Sequence, residues 1–221
     1  MWTYYMFWVI ASSALALVSA HPEVLILVVV FVIARRWIPD PVRYVQHASR
    51  IRSLSSAAEL NPANATVRAQ LAEIWLDKHR PRRAIPLLQQ ALERDPKSAE
   101  LRYLLGLSML RAGQAEASLE PLAEALHTDD RVRYGSAYLA IGDALGEVSR
   151  LDEATDAYQR YLKINTSSIE AYCKLARVKK RNKDEAGAKQ TRDEALETYR
   201  MLPGFQRRKQ LLWWLAVRFA G

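Results

Sequence analysis

Apolar positions divide the chain into two parts with different patterns. Over residues 1–34 apolar side chains are nearly continuous, and Glu23 is the only acidic residue before Arg35. After Pro41, apolar positions recur every three or four residues between charged ones, which is the periodicity of amphipathic helices. No stretch of the chain has the alternating pattern of a β-strand. The pattern therefore predicts an all-α protein with an apolar N-terminal segment.

The N-terminal segment has the length of a membrane anchor. Residues 1–20 carry no charged side chain, and about twenty helical residues rise roughly 30 Å, the thickness of a bilayer's hydrocarbon core. A second apolar run ends at Arg35 and Arg36 and is marginal as a second span. We expect a transmembrane anchor over residues 1–38, with a helical hairpin of two spans as the favoured interpretation.

Two other interpretations of this segment stay open. One is a single span followed by an interfacial or re-entrant helix. The other is a cleaved signal peptide, since Val18-Ser19-Ala20 resembles a small-x-small cleavage site, although a positively charged start is missing. Arginines dominate residues 35–52, and short positive flanks stay on the cytoplasmic side. An uncleaved anchor would therefore leave the C-terminal part in the cytoplasm.

The remainder of the chain repeats with a period near 34 residues. Residues 99–130 show the unit: Leu105-Gly106 falls in a first helix, Gly113 in a turn, and Leu122 in a second helix. The equivalent pairs elsewhere are Leu71-Ala72, Ile141-Gly142 and Leu175-Ala176. The spacing into the third unit is two residues longer than the others. Each unit is predicted to be a pair of closely packed helices that cannot bury its apolar stripe alone.

These units resemble the tetratricopeptide repeat family, which has a Leu-Gly/Ala pair in the first helix and a proline at the repeat end. The resemblance implies a solenoid of stacked helical hairpins. Beyond the anchor, we expect a linker and degenerate half-repeat over residues 39–64. About four repeats follow over residues 65–202, and a capping helix over residues 203–221 completes the array.

The resemblance also implies a binding surface, because this family binds its partners on a concave face lined by first helices. The predicted partner-binding residues are Glu73, Tyr103, Leu107, Leu110, Arg111, Leu139, Asp143, Arg177, Lys180 and Arg181. They place an apolar centre between an acidic start and a basic end, which suits an amphipathic helix or an extended peptide with apolar anchors. The alternative is that the apolar positions pack against the second helices and form core.

No catalytic constellation is apparent in the sequence. The four histidines and Cys173 lack metal-ligand spacing, and no glycine-rich phosphate loop is present. We therefore expect no enzymatic activity, no metal and no cofactor. The net charge of +8 fits anionic lipid, nucleic acid or an acidic peptide. Nucleic-acid binding through Arg177–Arg181 is the weaker interpretation, because a helical basic cluster without interleaved aromatics is more often a solvated face.

The last helix is apolar around its whole circumference, although an end cap should be polar outside. Trp213 and Trp214 are predicted to belong to a second contact surface. A protein, including a second copy of the chain, is the favoured occupant over a membrane surface, and a simple cap is the third interpretation.

Together these features predict a membrane-anchored scaffold or adaptor that recruits a protein partner. Its layout resembles that of bacterial inner-membrane tetratricopeptide repeat proteins, and the arginines after Ala34 predict that the repeat domain is cytoplasmic. A basic-surface binder of nucleic acid or anionic lipid is the alternative, and an enzyme is the least favoured class.

Overall fold

The computed structural model of the chain describes residues 41–61 and 64–219, and ten α-helices and one short 3-10 helix occupy most of that part. The helices are α1 Pro41–Leu60, α2 Ala65–Asp77, α3 Pro81–Arg94, α4 Ala99–Arg111, α5 Ala115–Thr128, α6 Ser136–Glu147, α7 Leu151–Ile164, α8 Ile169–Arg181, α9 Glu185–Met201 and α10 Gly204–Phe219, with η1 at Val132–Gly135. The predicted all-α class is confirmed for these residues, which contain no strand.

The anchor predicted over residues 1–38 lies outside the described residues. Within residues 41–61 and 64–219, no helix combines the length and apolar content that crossing a membrane requires. Ile51–Gly221 form one compact unit.

Eight helices of this unit, α2 to α9, pack as four successive pairs, and three-residue turns join the members of each pair. The central turn residues His79, Gly113, Ser149 and Lys183 all have positive φ angles, between 54° and 82°. Such short turns make the paired helices antiparallel neighbours. The repeated turn geometry shows that the four pairs are variants of one unit.

Small residues allow the two helices of a pair to approach closely. A Cβ atom on Gly106 would lie 2.5 Å from Cγ of Leu122, and one on Gly142 would lie 2.6 Å from Cε1 of Tyr158. Real Cβ atoms do not approach other atoms this closely, so a larger residue would force the helices apart. The close approach expected from Leu105-Gly106 is therefore observed.

Three of the four first helices begin with a capping side chain. Asn64, Ser98 and Ser168 accept hydrogen bonds from the backbone N–H three residues later, at 3.2, 3.3 and 3.3 Å. Such caps satisfy one of the free N–H groups of the first helical turn. Helix α6 is the exception, because Gly135 precedes it and supplies no side chain.

The segment before α6 contains the two additional residues seen in the sequence. Arg133, Tyr134 and Gly135 have φ angles of 50°, 56° and 77°, so three consecutive residues adopt the left-handed conformation. This conformation is unfavourable for residues with a Cβ atom. The backbone here differs from every other junction between pairs in the described part of the chain.

Helix α10 covers the last pair by packing against α8 and α9. Trp214 stacks on Tyr199 with ring centroids 5.3 Å apart, and Val217 is buried. The Gln210 side chain accepts a hydrogen bond from the Ile169 N–H at 2.7 Å and donates one to the Ser167 carbonyl at 2.9 Å. These contacts fix α10 at the end of the array.

Candidate functional site

First helices α4, α6 and α8 line one open groove with a volume of about 720 Å³. Eight of the ten predicted partner-binding residues lie along it: Tyr103, Leu107, Leu110, Arg111, Leu139, Asp143, Arg177 and Arg181. Lys180 lines a small adjoining pocket between α8 and α9, and Glu73 lies on α2 beyond the lining of the groove. The structure therefore brings most of the predicted residues together on one face.

The predicted apolar centre divides between core and surface. Tyr103 and Leu110 are each only 8% exposed and pack into the hydrophobic core. Leu107 and Leu139 are half-buried, so part of each side chain faces the groove. The core alternative therefore describes the first two residues, whereas the second two offer an apolar surface.

A hydrogen-bonded network forms the floor of the groove. The Asp143 carboxylate accepts hydrogen bonds from the Tyr158 hydroxyl and from Nζ of Lys174, each at 2.7 Å. Lys174 also forms an ion pair with Glu170 at 2.8 Å. Because these residues lie on α6, α7 and α8, the network ties three helices together and makes the floor a fixed surface.

Burial and neighbouring charge shift the ionisation of this network. Burial disfavours the charge on Lys174, but the carboxylates of Asp143 and Glu170 outweigh that effect and raise the pKa of Lys174. Burial, together with the neighbouring Asp143 carboxylate, raises the pKa of Tyr158 well above its usual range. At neutral pH the lysine is therefore charged and the tyrosine neutral, which is the arrangement the hydrogen bonds require.

Charged side chains without a partner surround this floor. Arg111, Glu147 and Arg177 are exposed and line the groove. Within residues 41–61 and 64–219 none of them forms a side-chain hydrogen bond or an ion pair. A bound segment would therefore meet charges that no contact among these described residues neutralises.

The basic cluster Arg177–Arg181 is divided between the groove, which Arg177 and Arg181 line, and the contact with α9, where Lys179 lies. Arg181 donates a hydrogen bond to the Gly146 carbonyl at 2.8 Å, at the end of α6. Lys179 donates to the Thr191 hydroxyl at 3.0 Å on α9, and Val178 is buried. Two of the five residues are therefore held by intramolecular hydrogen bonds, and one is buried.

The acidic residues at the start of the predicted site form ion pairs with an arginine of the same chain. Arg133 forms ion pairs with Glu73 on α2 and Glu100 on α4. The left-handed segment before α6 projects Arg133 toward these earlier helices. Sequence reasoning missed this residue, although the additional length of the junction marked the place where the repeat departs from its pattern.

Lys174 and Tyr158 were also missed by sequence reasoning. Glu170 stands one helical turn before Lys174, a spacing that favours an ion pair and could have indicated the first residue. Tyr158 lies on a second helix, and the family pattern assigns the binding face to first helices. Its place in the groove depends on Gly142, which leaves room for the ring.

The described residues contain no group of three or more His, Cys, Asp or Glu side chains arranged to hold a metal ion. Cys173 is a buried free thiol, and burial raises its pKa. A buried protonated thiol is a poor nucleophile.

The predicted second contact surface is partly turned inward. Trp214 stacks on Tyr199, and the Trp213 ring lies 5.9 Å from Nζ of Lys174. Both tryptophans are half-buried. The exposed apolar residues of α10 are instead Phe205, Leu211, Leu212 and Phe219.

Comparisons with known proteins agree with this architecture. Residues 70–135 match the family model described as tetratricopeptide repeat. Among curated proteins none matches the chain.

Solved structures share the fold at low sequence identity. A crystal structure of MamA protein is 23% identical, covers 72% of this chain and 85% of its own, and superposes with a TM-score of 0.66. MamA 41-end from Desulfovibrio magneticus RS-1 is 18% identical, covers 72% of this chain and 89% of its own, and gives a TM-score of 0.66. YrrB, described as a TPR protein with an unusual peptide-binding site, is 18% identical, covers 71% of this chain and 80% of its own, and gives a TM-score of 0.61. These likenesses establish the solenoid fold alone.

Proposed function

We propose that this chain, whose residues 70–135 match the tetratricopeptide repeat family model, is an adaptor whose α4–α6–α8 groove binds a peptide segment of a protein partner. The observation that carries the proposal is the unpaired charge around an apolar strip. Leu107 and Leu139 are partly buried and line the groove, and Arg111, Glu147 and Arg177 stand around them without intramolecular partners in the described part of the chain.

The chemistry of the groove defines the kind of segment that would bind. An apolar side chain would lie against Leu107 and Leu139, where its burial contributes roughly 25 cal/mol per Å². An acidic residue of the partner would pair with Arg177 or Arg111, and a basic residue with Glu147. Opposite charges fix the register and direction of the segment more than they add affinity.

The fixed floor beneath the groove supports this assignment. Asp143, Lys174 and Tyr158 already satisfy one another, so binding does not have to break their hydrogen bonds. A preorganised surface loses less conformational entropy on binding than a mobile one.

The membrane part of the proposal rests on the sequence of residues 1–38. The apolar run and the arginines after it favour an anchor with the repeat domain on the cytoplasmic side. Full-length protein is expected to stay with membranes through an alkaline carbonate wash. Release into the supernatant would contradict the membrane anchor and would not affect the proposal that the groove binds a peptide.

The test of the groove uses the full chain in detergent and a displayed library of random peptides. Selected peptides are expected to share an apolar residue flanked by an acidic one. Leu107→Glu and Leu139→Glu should each weaken their binding by at least about tenfold, since one buried apolar contact contributes about 1.5–3 kcal/mol. Binding is measured by fluorescence anisotropy.

Met201→Glu is the matched control, because Met201 is an exposed apolar residue that does not line the groove. It should leave peptide binding unchanged. The proposal is wrong if the library yields no binder, or if the selected peptides bind the two leucine variants as tightly as the parent chain.

A further inference from the structure

A second cavity lies between α9 and α10, away from the groove. Its volume is about 310 Å³, and three arginines line it: Arg200, Arg207 and Arg218. The stacked rings of Tyr199 and Trp214 form part of its wall. Three guanidinium groups beside an aromatic wall constitute an anion-binding arrangement.

None of these arginines is neutralised within the described residues. Their side chains form no ion pair or hydrogen bond there, and all three are exposed. Helix α10 contains no aspartate or glutamate, while Arg208 and Lys209 add further positive charge. The lining of the cavity contains these three arginines and no acidic residue, so an anion bound there would meet only positive side-chain charge.

An exposed apolar stripe runs along the same helix. Phe205, Leu212 and Phe219 are 62%, 74% and 80% exposed, and their seven-residue spacing places them on one side of α10. Leu211 lies between this stripe and the arginine cavity on the helix surface and is also exposed. Large aromatic and aliphatic side chains in water beside a cluster of cations are typical of interfacial membrane helices.

We propose that this face of α10 docks on an anionic phospholipid surface. A lipid phosphate would occupy the cavity of Arg200, Arg207 and Arg218, and the stripe of Phe205, Leu212 and Phe219 would enter the boundary between headgroups and acyl chains. Arginine binds phosphate oxygens in a bidentate manner. Insertion of the apolar stripe removes its surface from water.

Charge distinguishes this occupant from a second copy of the chain. Pairing two α10 helices would bring two identical cationic faces together with no acid on either helix, which is unfavourable. All three arginines line one cavity that contains no acidic residue, which suits the phosphate oxygens of lipid headgroups. An anionic lipid surface supplies negative charge to the cationic face and phosphate groups to the cavity.

The experiment uses the full chain reconstituted in vesicles, with a nitroxide label on Leu212→Cys. Cys173 is buried and stays unlabelled. Labelling at Gln89→Cys, an exposed position on α3, reports the behaviour of a residue away from α10. Oxygen and a polar nickel complex report whether each label lies in the bilayer or in water, so the N-terminal segment cannot produce the result.

The label at position 212 is expected to leave water in vesicles of phosphatidylcholine with phosphatidylglycerol, and to remain in water in phosphatidylcholine alone. The triple variant Arg200→Gln, Arg207→Gln, Arg218→Gln should lower the docking equilibrium constant on the order of 100-fold, from the usual gain per arginine at an anionic surface. A control triple variant with the same loss of charge, Arg82→Gln, Arg94→Gln, Arg131→Gln, should dock within about twofold of the parent chain, because charge beyond a Debye length is screened.

Four results would overturn the proposal. The proposal is wrong if the label lies in water on both vesicle types, or in the bilayer on both with no effect of the arginine variants. Release of the label from the bilayer by inorganic phosphate, but not by sulfate at equal ionic strength, would identify a soluble-phosphate site. Dipolar coupling between labels on two chains would identify a second copy as the occupant. No groove residue takes part, so failure here leaves the peptide-binding proposal intact.

Discussion

Two parts of the same concave face differ in what they leave available. At the α2–α4 end, Arg133 forms ion pairs with Glu73 and Glu100, so the acidic start is neutralised inside the chain. At the α4–α8 end, Arg111 and Arg177 remain without partners in the described part of the chain. Both parts come from the same repeating unit.

The difference teaches that a repeat pattern places residues on a face without deciding whether they are free. Two additional residues in one junction were enough to bring an arginine across two earlier helices. The open part has its own internal network through Asp143, but that network lies in the floor and leaves the surrounding charges unpaired. Four predictions sharpen this contrast, from the largest expected effect to the smallest.

The first compares the two glycines at the helix contacts. Gly142→Ala and Gly106→Ala should each lower the free energy of unfolding by about 2 kcal/mol, because the added Cβ meets a packed side chain. Only Gly142→Ala should also weaken peptide binding, since it displaces the Tyr158 ring that lines the groove. Chemical denaturation and anisotropy measure the two effects. Equal binding by both variants would mean that Tyr158 does not shape the site.

The second prediction concerns the floor of the open part. Asp143→Asn should lower the free energy of unfolding by about 2 kcal/mol, because it removes the charge that partners a largely buried lysine. Asp152→Asn, which alters an exposed acceptor of Asn182, is the control and should stay within about 0.5 kcal/mol. Equal stability of the two variants in chemical denaturation would contradict the network's role.

The third prediction is a pH effect confined to the open part. The pKa values of Lys174 and Tyr158 are raised in the folded chain. Their stabilisation is therefore fully present below the unfolded-state values of about 10 and is lost as pH rises through the folded values. We expect a loss on the order of 1 kcal/mol at alkaline pH that is smaller in Asp143→Asn.

Arg133 gives no such dependence, because a guanidinium group keeps its charge throughout this range. Unfolding experiments at neutral and alkaline pH on Arg133→Ala should therefore show the same alkaline loss as the parent chain. If the alkaline loss disappears in Arg133→Ala and persists unchanged in Asp143→Asn, the titrating contact lies at the α2–α4 end and the prediction is wrong.

The smallest effect is expected at the closed part. Arg133→Ala should lower the free energy of unfolding by about 1 kcal/mol, whereas Arg133→Gly should stay within about 0.5 kcal/mol, since glycine relieves the left-handed conformation. The loss in Arg133→Ala comes from its two exposed ion pairs, which contribute no more than about 1 kcal/mol each. Both variants should tighten the binding of lysine-bearing peptides by freeing Glu73 and Glu100. Unchanged affinity would show that this end lies outside the binding surface.

The sequence alone identified the repeating helix pairs and most of the groove. Periodic apolar positions and small residues such as Gly106 act within one helix or between neighbours, so their consequences can be read locally. The same reasoning placed Leu107, Leu139 and Arg177 on one face, where the structure also places them. It did not predict that Tyr103 and Leu110 are buried, because their burial depends on how closely the next helix pair packs.

Only the tertiary structure decided which part of the face is open. The contact of Arg133 with Glu73 joins residues 60 positions apart, and it exists because three left-handed residues turn the chain before α6. No local pattern encodes that direction, since the conformation of a junction is set by the helices packed on both sides of it. The physical reason is that helices follow from short-range periodicity, whereas the pairing of exposed charges follows from distances that only the packed solenoid defines.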